Sequence, residues 1–133
     1  MSSFHLIIVT PDGPRYDGEA ERLTVRTTEG EVTILPRHID YAASLGMGPA
    51  YVVCNGDTRK AACIGGMLAV TQGEARLIAS SFEWIDEIDL ERARRSLLQA
   101  NEKLSDPNLS ESDRAVYSAR RRRALVRISA ANQ

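Results

Sequence analysis

The sequence predicts an α+β fold, an N-terminal all-β sandwich followed by a C-terminal antiparallel two-helix hairpin. Three observations predict it. Short apolar runs alternate with glycine-containing turns over the first two thirds of the chain. All nine glycines lie at or before Gly73. From Ile88 onward the apolar period lengthens to three and four residues, the period of a helix. At 133 residues the chain has room for one domain, or for a small domain with an appendage. The expected division is a β-sandwich domain over 1–87 and a helical hairpin over 88–133.

The apolar run Phe4–Val9 predicts a first strand, ended by the turn cluster Thr10-Pro11-Asp12-Gly13-Pro14. Leu23–Thr27 and Val32–Leu35 flank Glu29-Gly30 and predict a hairpin stopped by Pro36. Ala50–Cys54 and Arg59–Ile64 flank Asn55-Gly56-Asp57 and predict a second. Leu68–Thr71 and Ala75–Ala79 flank Gln72-Gly73-Glu74 and predict a third. Gly65-Gly66 lacks the strand-to-helix setting of a phosphate loop and reads as a bulge or a close backbone approach. No strand alternates with a helix, which argues against a βαβ nucleotide fold.

Leu90, Ala93, Leu97, Ala100 and Leu104 form a stripe suited to one partner helix, with Asp89 as its N-cap. Asp106-Pro107 interrupts the helix. Ser110-Glu111-Ser112-Asp113 resembles a capping box and opens a second helix over about 111–130. Val116, Ala119, Ala124, Ile128 and Ala131 are its expected apolar contacts. Arg120-Arg121-Arg122-Arg123 cannot share one face, because successive helical residues point in different directions.

Charge divides with the architecture. Residues 1–87 hold seven basic and twelve acidic side chains, whereas 88–133 hold ten basic and six acidic. The basic hairpin suits an anionic ligand or an acidic partner. Catalytic signals are missing: there is no phosphate-loop motif, and His5 and His38 have no metal-ligand spacing to each other or to Cys54 and Cys63. The cysteines stand nine apart around a tight turn and read as small hydrophobes rather than a disulfide. No apolar run reaches the ~20 residues of a membrane span. The N-terminus has no basic stretch followed by an apolar one, so no cleaved leader is expected.

Four segments in order carry a family resemblance: Val9-Thr10-Pro11-Asp12-Gly13-Pro14, Glu29 to His38, Gly65-Gly66-Met67-Leu68-Ala69-Val70, and Ile88-Asp89-Leu90-Glu91-Arg92-Ala93. Over nearly the whole chain the sequence resembles the epsilon subunit of bacterial F-type ATP synthases. The resemblance implies a non-catalytic rotor subunit of the central stalk, coupling proton flow to ATP synthesis. The sandwich would contact the gamma subunit and the c-ring. The hairpin would fold down, or extend toward the alpha/beta catalytic head and inhibit ATP hydrolysis. It also implies a peripheral location on the cytoplasmic face of the bacterial cell membrane.

Some members bind ATP at the folded hairpin. The positions that match are Glu83, Ile88, Asp89, Arg92, Ala93 and, on the second helix, Arg123 and Arg127, with Arg122 as the alternative in register. ATP would be a regulatory ligand, and no cofactor or metal ion is required. The chain departs from the pattern after His38, where Ile39 is followed by Asp40-Tyr41 instead of proline, in a loop expected near the c-ring. Trp84 and Ile85 also depart from it and are expected to act as an aromatic and apolar anchor. The competing reading is a nucleic-acid-binding β domain with an Arg-rich helical tail. The acidic first part, which repels phosphate and lacks an aromatic cluster, weighs against it; a small enzyme is disfavoured by the missing catalytic groups.

Overall fold

A computed structural model describes residues 2–131. The chain divides into two compact units, residues 1–84 and 85–133. The first holds eight strands: β1 (Phe4–Thr10), β2 (Gly13–Ala20), β3 (Arg22–Thr27), β4 (Gly30–Ile34), β5 (Tyr41–Ser44), β6 (Met47–Cys54), β7 (Asp57–Thr71) and β8 (Glu74–Trp84). The second holds a 3-10 turn (Ile85–Glu87), α1 (Leu90–Leu104) and α2 (Glu111–Ala131). The turn Ile85–Glu87, assigned by sequence to the first part, thus falls with the helices.

Hydrogen bonding runs in the order β2-β1-β8-β7-β6-β3-β4, with β5 added on β7. The three expected hairpins are present, with Leu23 opposite Ile34, Val52 opposite Arg59 and Val70 opposite Ala75. Strand β1 runs parallel to β8, pairing Leu6 with Ala75. The 15-residue β7 and the 11-residue β8 belong to both layers of the sandwich. The first half of β7 pairs with β6 and with the end of β8. Its second half pairs with β5 and with the start of β8.

The layers turn at Gly65-Gly66, where pairing lapses between Ile64–Ser81 and Gly66–Ala79. Gly66 has φ +111°, and a Cβ there would overlap the Ile78 carbonyl oxygen. The sequence therefore carries a close backbone approach at this glycine. The expected separate strands 59–64 and 68–71 are one strand bent at this point. Two strands were missed. β2 follows immediately on Gly13, because the turn needs only Pro11-Asp12. β5 is four residues long and has no apolar alternation strong enough to announce it.

Alternate residues of β1, β3 and β8 point inward, and Leu6, Ile8, Leu23, Val25, Leu68, Leu77 and Phe82 are fully buried. Each such side chain contributes about 1.5–3 kcal/mol on leaving water. Every member of this core lies between Phe4 and Trp84, so the sandwich has a hydrophobic core of its own. Trp84 ends it. The ring is buried edge-on to Phe82, its indole N–H donates to the Arg15 carbonyl at 3.4 Å, and the Arg59 guanidinium lies 3.8 Å over its face.

In the hairpin, Asp89 caps α1 by accepting the Arg92 N–H at 3.0 Å. Ser110 Oγ accepts the Asp113 N–H at 3.1 Å, the expected cap of α2. Arg114 reaches back to the Leu104 and Asp106 carbonyls at 3.2 and 3.0 Å, so a cation covers the carbonyl end of α1. Small residues make the tightest contacts. Ala93, Ala100, Ala124 and Ala130 are buried, whereas Leu90, Leu97 and Leu104 are half-buried. Val116, expected to be an apolar contact of the second helix, is 46% exposed: it stands one turn before Arg120 on the face that carries Arg123 and Arg127, and the buried contacts of α2 are Ala124 and Ala130 instead.

Candidate functional site

The hairpin carries one strongly basic groove. Arg92, Arg95, Ser96 and Gln99 project from one side of α1, at helical spacings of three, one and three. Arg120, Arg123 and Arg127 project from α2 at spacings of three and four. Together these seven residues line an open groove of about 410 Å³. Five guanidinium groups and no carboxylate form the lining. Like charges so gathered repel one another and favour an anion that joins them.

Arg123 and Arg127 are half-buried, and Arg120 is exposed with its guanidinium 5.2 Å from the Tyr117 ring. Arg95 approaches Glu91 only at 4.0 Å, one turn away, and both side chains are largely exposed. Surface pairs of this kind contribute about 0–1 kcal/mol, so Arg95 is little committed by it. The arrangement supplies forked donors suited to phosphate oxygens. Its one hydroxyl, that of Ser96, has no histidine or carboxylate beside it in the lining to act as general base.

Of the residues singled out from the sequence, the structure brings Arg92, Arg123 and Arg127 to this groove. Arg122, the alternative in register, is exposed and does not line it. Asp89 stands at the N-cap with one carboxylate oxygen held by the Arg92 N–H. Ile88 closes the 3-10 turn through its N–H to the Ile85 carbonyl at 3.3 Å. Ala93 is buried. Glu83 belongs to the sandwich unit, on β8 opposite Ala62. Arg95, Ser96, Gln99 and Arg120 were missed. Their signal was the helical spacing to Arg92 and to Arg123, legible once both helices had been placed.

A second polar cluster crosses the sandwich. His5 Nε2 lies 2.6 Å from Asp17 Oδ1 and its Nδ1 lies 3.3 Å from Glu74 Oε2, while Arg76 Nε donates to Glu74 Oε1 at 2.9 Å. The Asp17 hydrogen bond, with help from Glu74, raises the His5 pKa. Arg76 and His5 hold the Glu74 carboxyl below its usual range. Burial pushes the Cys63 thiol up to about 12, in keeping with an inert core cysteine. Both cysteines are free, and His38 donates from Nδ1 to the Ile39 carbonyl at 2.7 Å. Among the described residues no three His, Cys, Asp or Glu side chains are grouped to hold a metal ion, and no helix is long and apolar enough to cross a membrane.

A β-sandwich followed by a helical hairpin with an arginine-lined groove is the class of protein to which the chain conforms. Comparisons specify it. Residues 3–85 match the model of the ATP synthase delta/epsilon chain β-sandwich domain, and residues 86–132 match that of its long α-helix domain. The ATP synthase epsilon chain of Bacillus pumilus is 34% identical over all of both chains. That of Ruminococcus albus is 36% identical over 100% of this chain and 99% of its own.

Among solved structures, a chain in the Euglena gracilis mitochondrial ATP synthase (OSCP/F1/c-ring, rotational state 1) superposes with TM-score 0.86. It is 22% identical, over 100% of this chain and 83% of that one. A chain of the Tetrahymena thermophila mitochondrial ATP synthase central stalk/c-ring gives 0.62 at 13% identity, over 96% and 95%. At these identities the two show the fold. The chain belongs to the ATP synthase delta/epsilon family, among its bacterial epsilon chains, and is a non-catalytic subunit of that complex. The nucleic-acid reading has no support among these relatives.

Proposed function

We propose that the sandwich seats this subunit on the gamma subunit and the c-ring, and that the hairpin is a regulatory arm. Extended toward the alpha/beta head, the arm inhibits ATP hydrolysis; folded, it holds ATP in the arginine groove. The observation that carries the division of labour is the order of the two matched domains over the chain, each unit having its own compact interior. The complex lies peripherally on the cytoplasmic face of a bacterial membrane.

Two surfaces of the sandwich support the docking. On the outer face of β1, β8 and β7, Val9, Ile78 and Met67 are register neighbours. Ile78 is 57% and Met67 53% exposed. An apolar row of this kind on a soluble face suits a protein partner, and gamma is the partner assigned here. Leu35 and Ile39, 49% and 78% exposed, flank the Pro36–His38 turn and are assigned to the c-ring.

Co-purification with gamma tests the assignment. The intact chain and a chain ending at residue 87 are both expected to retain gamma, and Ile78→Asp is expected to weaken retention at least about tenfold, the equivalent of 1.4 kcal/mol. Full retention by a correctly folded Ile78→Asp protein contradicts the placement of gamma on this face.

A further inference from the structure

We infer that Asp40 is a positioning residue for docking on the c-ring: its carboxylate ties the β4–β5 connection to the β7–β8 turn and presents Ile39 from a fixed backbone, a role that rests on the assignment of Leu35 and Ile39 to that partner. The connection runs from Leu35 to Asp40 and contains no strand. Surface connections of this kind are ordinarily more mobile than the strands they join. This one is held on both sides of Ile39. The His38 N–H donates to the Leu35 carbonyl at 3.2 Å, and His38 Nδ1 donates to the Ile39 carbonyl at 2.7 Å. The His38 ring stands edge-on to Tyr41, with centroids 5.8 Å apart, and Tyr41 packs against the sandwich core. Asp40 Oδ1 accepts the Gln72 N–H at 2.9 Å. Ile39, between these ties, is 78% exposed.

Strand register brings Asp40 and Gln72 together across 32 residues of chain. Tyr41 pairs with Val70 across β5 and β7, so Asp40, one residue earlier, falls beside the turn that follows Thr71. Gln72 makes that turn with φ +49°. The acceptor is a carboxylate, and a hydrogen bond to an ionised group is stronger than one between neutral groups. An apolar side chain on a backbone already fixed in place loses less freedom on binding than one on a mobile loop. Asp40 therefore acts through Ile39, which enters an apolar recess of the partner.

Titration of purified c-ring with the complex of gamma and the full chain tests this. Ile39→Ala is expected to weaken binding at least about tenfold. Asp40→Ala is expected to weaken it about three- to tenfold, and Asp40→Asn, which keeps the acceptor oxygen, less than about twofold. In the Ile39→Ala background Asp40→Ala is expected to cost less than about twofold, because the side chain it positions is gone. Hydrogen exchange of the Gln72 amide is expected to quicken at least about threefold in Asp40→Ala and to stay unchanged in Asp40→Asn. Retention of gamma is expected to be the same in all the variants.

Weakening by Ile39→Ala with none by Asp40→Ala overturns the inference and leaves the c-ring assignment standing. No weakening by Ile39→Ala overturns the assignment and the inference with it. Asp40→Asn as damaging as Asp40→Ala makes the charge itself a partner contact and overturns the positioning role. Full additivity of Ile39→Ala and Asp40→Ala overturns it too. Loss of gamma by Asp40→Ala reduces the effect to a general defect of the sandwich and overturns the inference.

Discussion

His5 stands on β1 between Asp17 of β2 and Glu74 of β8, with Arg76 on the far side of Glu74. Its pKa is raised above the usual imidazole value of about 6.5. The stability it contributes is complete below that usual value and is lost as pH rises through the raised one. Glu74 acts in the opposite sense. Its carboxyl is held low, so its contribution is present above the usual carboxylate range and is lost as pH falls through the lowered value. The protein should therefore be most heat-stable in the window between these two titrations. Melting curves across pH should show the alkaline decline, and His5→Gln should remove it; parallel curves for the two proteins would refute the assignment.

Asp89 was legible as a cap, and Arg123 and Arg127 as a pair one turn apart. His5 was legible only as a histidine without metal spacing, because its partners are 12 and 69 residues away. Arg95 and Arg120 gave no individual signal, since a charged residue on a helix is ordinarily solvated.

Among the elements, β7 and β8 determine the sandwich because each serves both layers. The crossing depends on Gly66, with φ +111° and no room for a Cβ beside the Ile78 carbonyl. Gly66→Ala should cost at least about 1–3 kcal/mol from backbone conformation alone, with the steric overlap adding to it. Denaturant titration checks this; a loss below 0.5 kcal/mol, about the scatter of an ordinary surface change, would show that the layers do not depend on this approach. Hairpins around Asn55-Gly56 and Gln72-Gly73 were legible because local turn chemistry encodes them. β2 and β5 were not: Pro14 and the charged residues hid the former, and β5 is held by its long-range pairing with β7. In the helices the stripe was legible, but the partner residues on α2 were less so. Val116 is exposed and Ala130 buried because the packing seam follows the small residues rather than the largest apolar ones.

Over the whole molecule, an acidic β unit is joined to a basic helical one, and a net charge of -1 conceals the difference. The core of the first unit is drawn entirely from residues 4–84, so it does not need the hairpin to fold. The hairpin is built on alanines and half-buried leucines around a groove of like charges. Such packing gives a unit of low stability, the kind that a ligand or a competing partner moves. A ligand at a hundred times its Kd would stabilise the form that binds it by about 2.7 kcal/mol.

In the proposed function the hairpin regulates while the sandwich seats the subunit. The most direct measurement is ATP hydrolysis by an F1 complex stripped of this subunit and reconstituted with either the full chain or residues 1–87. Both are expected to assemble; the full chain is expected to lower the hydrolysis rate and the truncated chain to leave it unchanged. Equal inhibition by the two would contradict this division of labour.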